Sequence, residues 1–201
     1  MSDDQKAPLD SISRRIDAEA RADVPPQIRA AAGVVRAAVD GGVVAVLFYG
    51  SALRDGVIAD KVIDLYALVD RYRNAYHSVT PAVANAALPP NVYYLAAEGG
   101  GRTVRMKYAV LSLADFEKQT AGGALTPYIW GRFAQPTAVV YARDTLIHGR
   151  VIVALGAAVR TLLCRTAALM EPEFLSEDLW ARAFRESYRT ELRAEKKSKN
   201  Q

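Results

Sequence analysis

The segment Phe48-Tyr49-Gly50-Ser51 closes a short apolar run, Val43 to Tyr49, that reads as a buried strand, and a helix-like turn follows it. Glycine at such a junction lets the backbone approach a ligand closely. Exposed N–H groups at a helix start attract phosphate, and the Ser51 hydroxyl adds a further hydrogen bond to a phosphate oxygen. Gly-Ser after a strand is also an ordinary turn. What raises it is Asp64, which interrupts the apolar run Val62-Ile63-Asp64-Leu65-Tyr66-Ala67-Leu68-Val69. A carboxylate in a buried strand costs several (roughly 3–5) kcal/mol unless it is paired or bound to a cation. Mg²⁺ held with nucleotide phosphates meets that need, and nucleotidyl transfer is then mostly positioning plus charge neutralisation. The alternative is an acid at the exposed end of the strand, paired with Lys61 or Arg54. The residue types alone leave both open.

Other polar residues admit two readings each. Lys107 alternates with Met106 and Tyr108, as a solvent-facing lysine in a strand does, or it contacts a triphosphate. Arg132 follows Gly131 at a helix end, where it serves the helix C-terminus or a phosphate. Glu191 and Arg193 lie two apart on the last helix and so do not share a face. Asp70 reads as ending the strand, with metal binding the lesser alternative, His77 reads as packed or capping, and His148 has no site context.

These residues need elements to hold them. Ile28 to Val39 has apolar residues at helical spacing, closed by Gly41-Gly42. Val43 to Tyr49 and Val62 to Val69 read as strands, Tyr76 to Ala87 as a helix, and Val92 to Ala97 and Thr103 to Leu111 as a hairpin turning at Gly99-Gly100-Gly101. Ser112 with Asp115 resembles a capping box for a helix at Leu113 to Lys118. A short helix at Thr126 to Phe133, a strand at Ala138 to Ala142, and helices at Leu146 to Met170 and Ser176 to Glu195 complete the chain. The expected class is α/β, a mixed sheet with flanking helices followed by a mostly helical C-terminal half. The expected division is a polar N-terminal arm (1–24), an α/β domain (25–120), a mostly helical domain (121–195) and a basic tail (196–201).

With 201 residues, a net charge of +4 and one cysteine, the chain has room for one generous domain or two small ones, suits anionic partners, and excludes an intramolecular disulfide or a Cys-rich metal site. Cys164, among Leu162, Leu163 and Ala167, reads as a small core residue. No run reaches the ~20 uninterrupted apolar residues of a spanning helix, and the N-terminus carries no signal-peptide pattern. The expectation is a cytoplasmic protein, with no basic-aromatic stripe of the kind that binds RNA.

Gly-Ser at a strand end followed by Asp on the next strand resembles the polymerase-β-like nucleotidyltransferases. More narrowly, the chain resembles the mitochondrial-type phosphatidate cytidylyltransferases, the translocator assembly and maintenance family. The similarity runs in one order through Tyr49-Gly50-Ser51, Ile63-Asp64-Leu65, Val69-Asp70 with Tyr76-His77, Val92-Tyr93-Tyr94, Lys107-Tyr108-Ala109-Val110, Pro127-Tyr128 to Arg132 and Pro136, Glu171-Pro172-Glu173-Phe174 to Leu179, and Ser187-Tyr188 to Arg193. It departs from the superfamily in its single acid, since Val62 and Tyr66 occupy both positions open to a second one, and Thr190-Glu191 stands where the family has Gly-Asp.

The resemblance implies a nucleotidyltransferase-type sheet and a Mg²⁺-dependent enzyme that transfers CMP from CTP to phosphatidic acid, giving CDP-diacylglycerol and pyrophosphate in phospholipid biosynthesis. It makes Asp64 the catalytic metal ligand, and Gly50, Ser51, Lys107 and Arg132 nucleotide-binding residues. Tyr188, Glu191 and Arg193 become candidate substrate or phosphate contacts. A lipid acceptor implies peripheral contact with an anionic membrane surface. Two rivals remain: the same chemistry on another acceptor (a small alcohol, an amine or RNA), and a catalytically inactive nucleotide-binding or scaffold homologue.

Overall fold

A computed structural model describes residues 3–39, 41–56, 62–76, 78–87, 89–99, 102–123 and 127–198. The apolar runs form the centre of a sheet. Val43–Tyr49 is β1, buried at every residue, and Ile63–Val69 is β2, buried at every residue but half-buried Asp64. Asn91–Gly99, Arg102–Ser112 and Thr137–Ala142 are β3, β4 and β5. The five strands lie in the order β3-β4-β2-β1-β5. β2 and β4 run parallel while every other neighbouring pair is antiparallel, so the sheet is mixed. Continuous burial of β1 and β2 follows from their interior places, where both faces are covered. The chain is thus α/β, a five-stranded mixed sheet with flanking helices.

Eight α-helices accompany the sheet among the described residues: α1 (Asp3–Ala20), α2 (Pro26–Ala38), α3 (Ser51–Asp55), α4 (Val79–Ala87), α5 (Leu113–Thr120), α6 (Tyr128–Phe133), α7 (Thr145–Ala167) and α8 (Ser176–Ser198). Pro26 opens α2, where a missing N–H is harmless. The helix buries Ile28, Ala31, Ala32 and Val35, one apolar stripe at i, i+3, i+4, i+7. That stripe packs in one core with Val46, Phe48, Leu65, Ala67, Met106, Tyr108 and Val110, which alternate along their strands and so share a sheet face. Truncating Ile28, fully buried there, would cost about 2–5 kcal/mol.

The expected capping box is present. The Asp115 amide donates to Ser112 Oγ at 3.1 Å, and the Ser112 hydroxyl donates back to Asp115 Oδ2 at 2.8 Å. Tyr72 donates its hydroxyl to the same carboxylate oxygen at 2.6 Å, tying a 3₁₀ turn (Tyr72–Asn74) to the start of α5. Burial and that carboxylate push the Tyr72 phenol up to about 12.

One expectation, the burial of Cys164, is overturned, and two features are added to the sequence reading. The polar arm is helical over Asp3–Ala20. Its sequence lacks a continuous apolar stripe, and what marks the helix is i,i+4 ion pairing, Arg15 with Glu19 at 3.1 Å and Arg21 with Asp17 at 3.0 Å. Cys164 is exposed rather than in the core, because α7 turns Leu162 and Thr166 inward and leaves Cys164 outside. Finally α7 is, by length and composition alone, long and apolar enough to cross a membrane. Val151, Ile152, Ala154, Leu155, Ala158 and Leu162 along it are nevertheless buried within the protein.

The chain divides into two compact units. The first is Met1–Phe116 with Pro136–Ile152, the second Glu117–Gln135 with Val153–Gln201. The first contains the whole sheet, since β5 returns to pair with β1. In the second, Gly131 of α6 faces α8, where a Cβ on it would meet Ser187 Cβ at 3.4 Å. Thr161 donates to the Thr120 carbonyl at 2.9 Å and Arg165 to the Gly122 carbonyl at 3.0 Å, closing that unit's turn.

Candidate active site

Gly50 joins β1 to α3 with φ 89° and ψ −164°, backbone that a side chain rarely adopts. Ser51, exposed, opens α3, and the helix start carries no side-chain cap. With five residues α3 develops little macrodipole, so any anion held here is held by individual backbone N–H groups and the Ser51 hydroxyl.

Strand pairing sets Asp64 beside that junction. Phe48 is the register partner of Leu65, which carries the end of β1 past the start of β2. A Cβ built on Gly50 would lie 3.6 Å from Asp64 Oδ2. On the other side of β2, Asp64 is the partner of Lys107, and Lys107 in turn of Tyr94. Register partners project from the same sheet face, with neighbouring strands about 4.8 Å apart. Asp64, Lys107 and Tyr94 therefore form one row across three strands. Asp64 and Lys107 are half-buried, whereas Tyr94 is 71% exposed, and the Lys107 ammonium lies 6.0 Å from the centre of its ring.

Two residues further along β2 on the same face is Tyr66, fully buried and edge-to-face with Tyr49 of β1 at 5.4 Å. It fills one place open to a second acid with an aromatic pair. Among the described residues no three His, Cys, Asp or Glu side chains form a metal cluster. The Asp64 carboxylate is a hard oxygen donor, of the kind Mg²⁺ takes together with phosphate and water.

The other candidates do not belong to this row. Asp70 stands at the far end of β2, where its carboxylate accepts from the Arg71 amide at 2.7 Å and from Asn74 Nδ2 at 2.9 Å, so it orders the 3₁₀ turn and takes no part in the Asp64 row. Arg132 belongs to the second unit, where its guanidinium stacks over Tyr128 at 4.5 Å. Tyr188, Glu191 and Arg193 fall on α8 of that unit, and their side chains lie outside the described residues, as does His77. His148 does have a partner, its Nε2 standing 2.7 Å from Asp17 Oδ1 across α1 and α7. Tyr94 enters the sequence reading only through the Val92-Tyr93-Tyr94 similarity, with no role of its own; its place beside Lys107 depends on the β3–β4 register.

No protein-family model matches the chain, and a search of curated proteins finds no match.

Proposed function

We propose that the chain is a nucleotidyltransferase of the phosphatidate cytidylyltransferase type, transferring CMP from CTP to phosphatidic acid with release of pyrophosphate. The observation that carries this reading is the convergence of Gly50, Asp64 and Lys107: a glycine turn, a carboxylate and a lysine on neighbouring strands. In this reading the Gly50-Ser51 turn grips the triphosphate, and Asp64 holds the cation while Lys107 neutralises phosphate charge. Mg²⁺, when bound, would neutralise negative charge on the phosphate oxygens and the departing pyrophosphate. The phosphatidate oxygen attacks that phosphorus in line and the bond to pyrophosphate breaks. The acceptor is already anionic near neutral pH, so the site needs no strong base. Arg132, and on α8 Tyr188, Glu191 and Arg193, are proposed as phosphate or acceptor contacts.

The acceptor requires contact with an anionic lipid surface. The exposed Leu169, Phe174, Leu175 and Trp180 of the second unit supply apolar groups of the kind that settle at such a surface. The burial of Tyr66 where a second acid could stand favours one alternative, a nucleotide-binding homologue without turnover. Turnover with CTP, Mg²⁺ and phosphatidate vesicles separates the two. Pyrophosphate release that depends on phosphatidate supports the enzyme; CTP binding with no release across phosphatidate, small alcohols and amines overturns it.

A further inference from the structure

The geometry points to Tyr94 as the platform on which the nucleobase stacks. This inference rests on the proposed nucleotide site and adds to it where the base lies.

The adjacent tyrosines of β3 have opposite fates. Tyr93 is spent on structure: its ring stacks on Tyr108 at 5.3 Å and its hydroxyl donates to Tyr76 at 3.2 Å. Tyr94 points to the other face and leaves 71% of its surface in solvent. β3 is an edge strand, so the ring faces open space on its outer side as well. A large aromatic so exposed adds nothing to a core, and its packing does not explain its place. It stands at the end of the row that begins at Asp64, with Lys107 between them. Two strand spacings, about 10 Å, separate the first and last members. A nucleotide has the same order of parts. Phosphates and cation lie at one end, by Asp64 and the Gly50 turn, a sugar comes next, and a flat base at the other end meets the Tyr94 ring. Lys107, 6.0 Å from the ring centre, sits at the outer limit of cation–π reach and is placed to leave the ring for a phosphate oxygen. Stacking of this kind supplies affinity and not base choice, since every base has a π-face.

The test compares Tyr94→Ala and Tyr94→Phe with the wild type by isothermal titration, using CTP with Mg²⁺ and, separately, tripolyphosphate with Mg²⁺. The expected result is a loss of CTP affinity of about ten- to a hundredfold in Tyr94→Ala. Tyr94→Phe, which keeps the ring, stays within about twofold of wild type, and tripolyphosphate binding is the same in all three. CTP affinity unchanged in Tyr94→Ala overturns the stacking role while leaving the phosphate site intact. Equal weakening of CTP and tripolyphosphate also overturns it, by showing that the ring acts only through Lys107. If the wild type binds neither ligand, the reading of the site falls and this inference with it.

Discussion

Asp64 on β2 and Lys107 on β4 are register partners across the sheet's one parallel pair, each half-buried, on the same face. In the proposed reading a metal–phosphate complex would meet this pair sign for sign, its cation against Asp64 and its phosphate against Lys107. The same two charges would then repel a ligand bound the other way round, so the pair would fix direction as well as place.

Asp64→Asn keeps the shape and removes the charge. Pyrophosphate release from CTP is expected to fall by about a hundredfold or more. The thermal midpoint should move little, because the site is half-buried and the amide still forms hydrogen bonds. A turnover assay beside a thermal melt checks both, and undiminished turnover would defeat the metal assignment.

Gly50→Ala acts through the backbone. A Cβ has room, with Asp64 Oδ2 the nearest atom at 3.6 Å, but φ 89° is strained for alanine. The cost should be about 1–3 kcal/mol, a drop in melting midpoint of about 2–12 °C for a chain of this size. If the turn relaxes to relieve the strain, CTP affinity falls with it. Calorimetric melts and CTP titration give the two readouts.

Asn85 is fully buried and serves three groups. It donates to the Val110 carbonyl at 3.2 Å and to Tyr76 at 3.0 Å, and accepts from the Asn91 amide at 2.8 Å. Asn85→Ala strands those partners, so a loss of about 1–3 kcal/mol is expected in urea denaturation. A variant as stable as wild type would show that the network contributes nothing net.

Asp17 carries a pH signature. The hydrogen bond from Arg21 first, then the contact with His148, hold its carboxyl below its ordinary value of 3.8. A depressed folded-state value means the contribution to stability is present above that ordinary value and is lost as pH falls below it. Thermal melts of wild type and Asp17→Asn from about pH 6 to about pH 2.5 should show a gap that holds at the upper end and closes below 3.8. A gap independent of pH would exclude the linkage.

How far the sequence carried the reading depended on whether a signal was local. β1 was legible to the residue, because seven apolar residues in a row end at a glycine that terminates them. The Ser112–Asp115 box was legible for the same reason, since its partners are three residues apart. Gly50, Asp64 and Lys107 could be named from residue type, but their meeting could not, because it depends on the antiparallel β1–β2 and parallel β2–β4 registers. α1 was hidden because its side chains pair by charge instead of forming an apolar stripe. Cys164 was misplaced by its apolar sequence neighbours, which on a helix point in other directions.

The parallel pairing of β2 with β4 also bears on the order in which the molecule assembles. β3 and β4 are sequence neighbours and can zip as a hairpin, whereas β2 and β4 meet only after the intervening helix and hairpin have been laid down. Contacts between distant segments form late, since loop closure must precede their reward. Asp64 and Lys107 are thus expected to become neighbours after the β3–β4 hairpin forms and before β5, which lies farther in sequence from its partner β1, completes the sheet. Mass action runs this in reverse: a ligand that binds across the two strands holds that seam shut, adding about 2.7 kcal/mol at a hundred times its dissociation constant. If the proposed site takes a nucleotide, its supply would then help to set the lifetime of the fold.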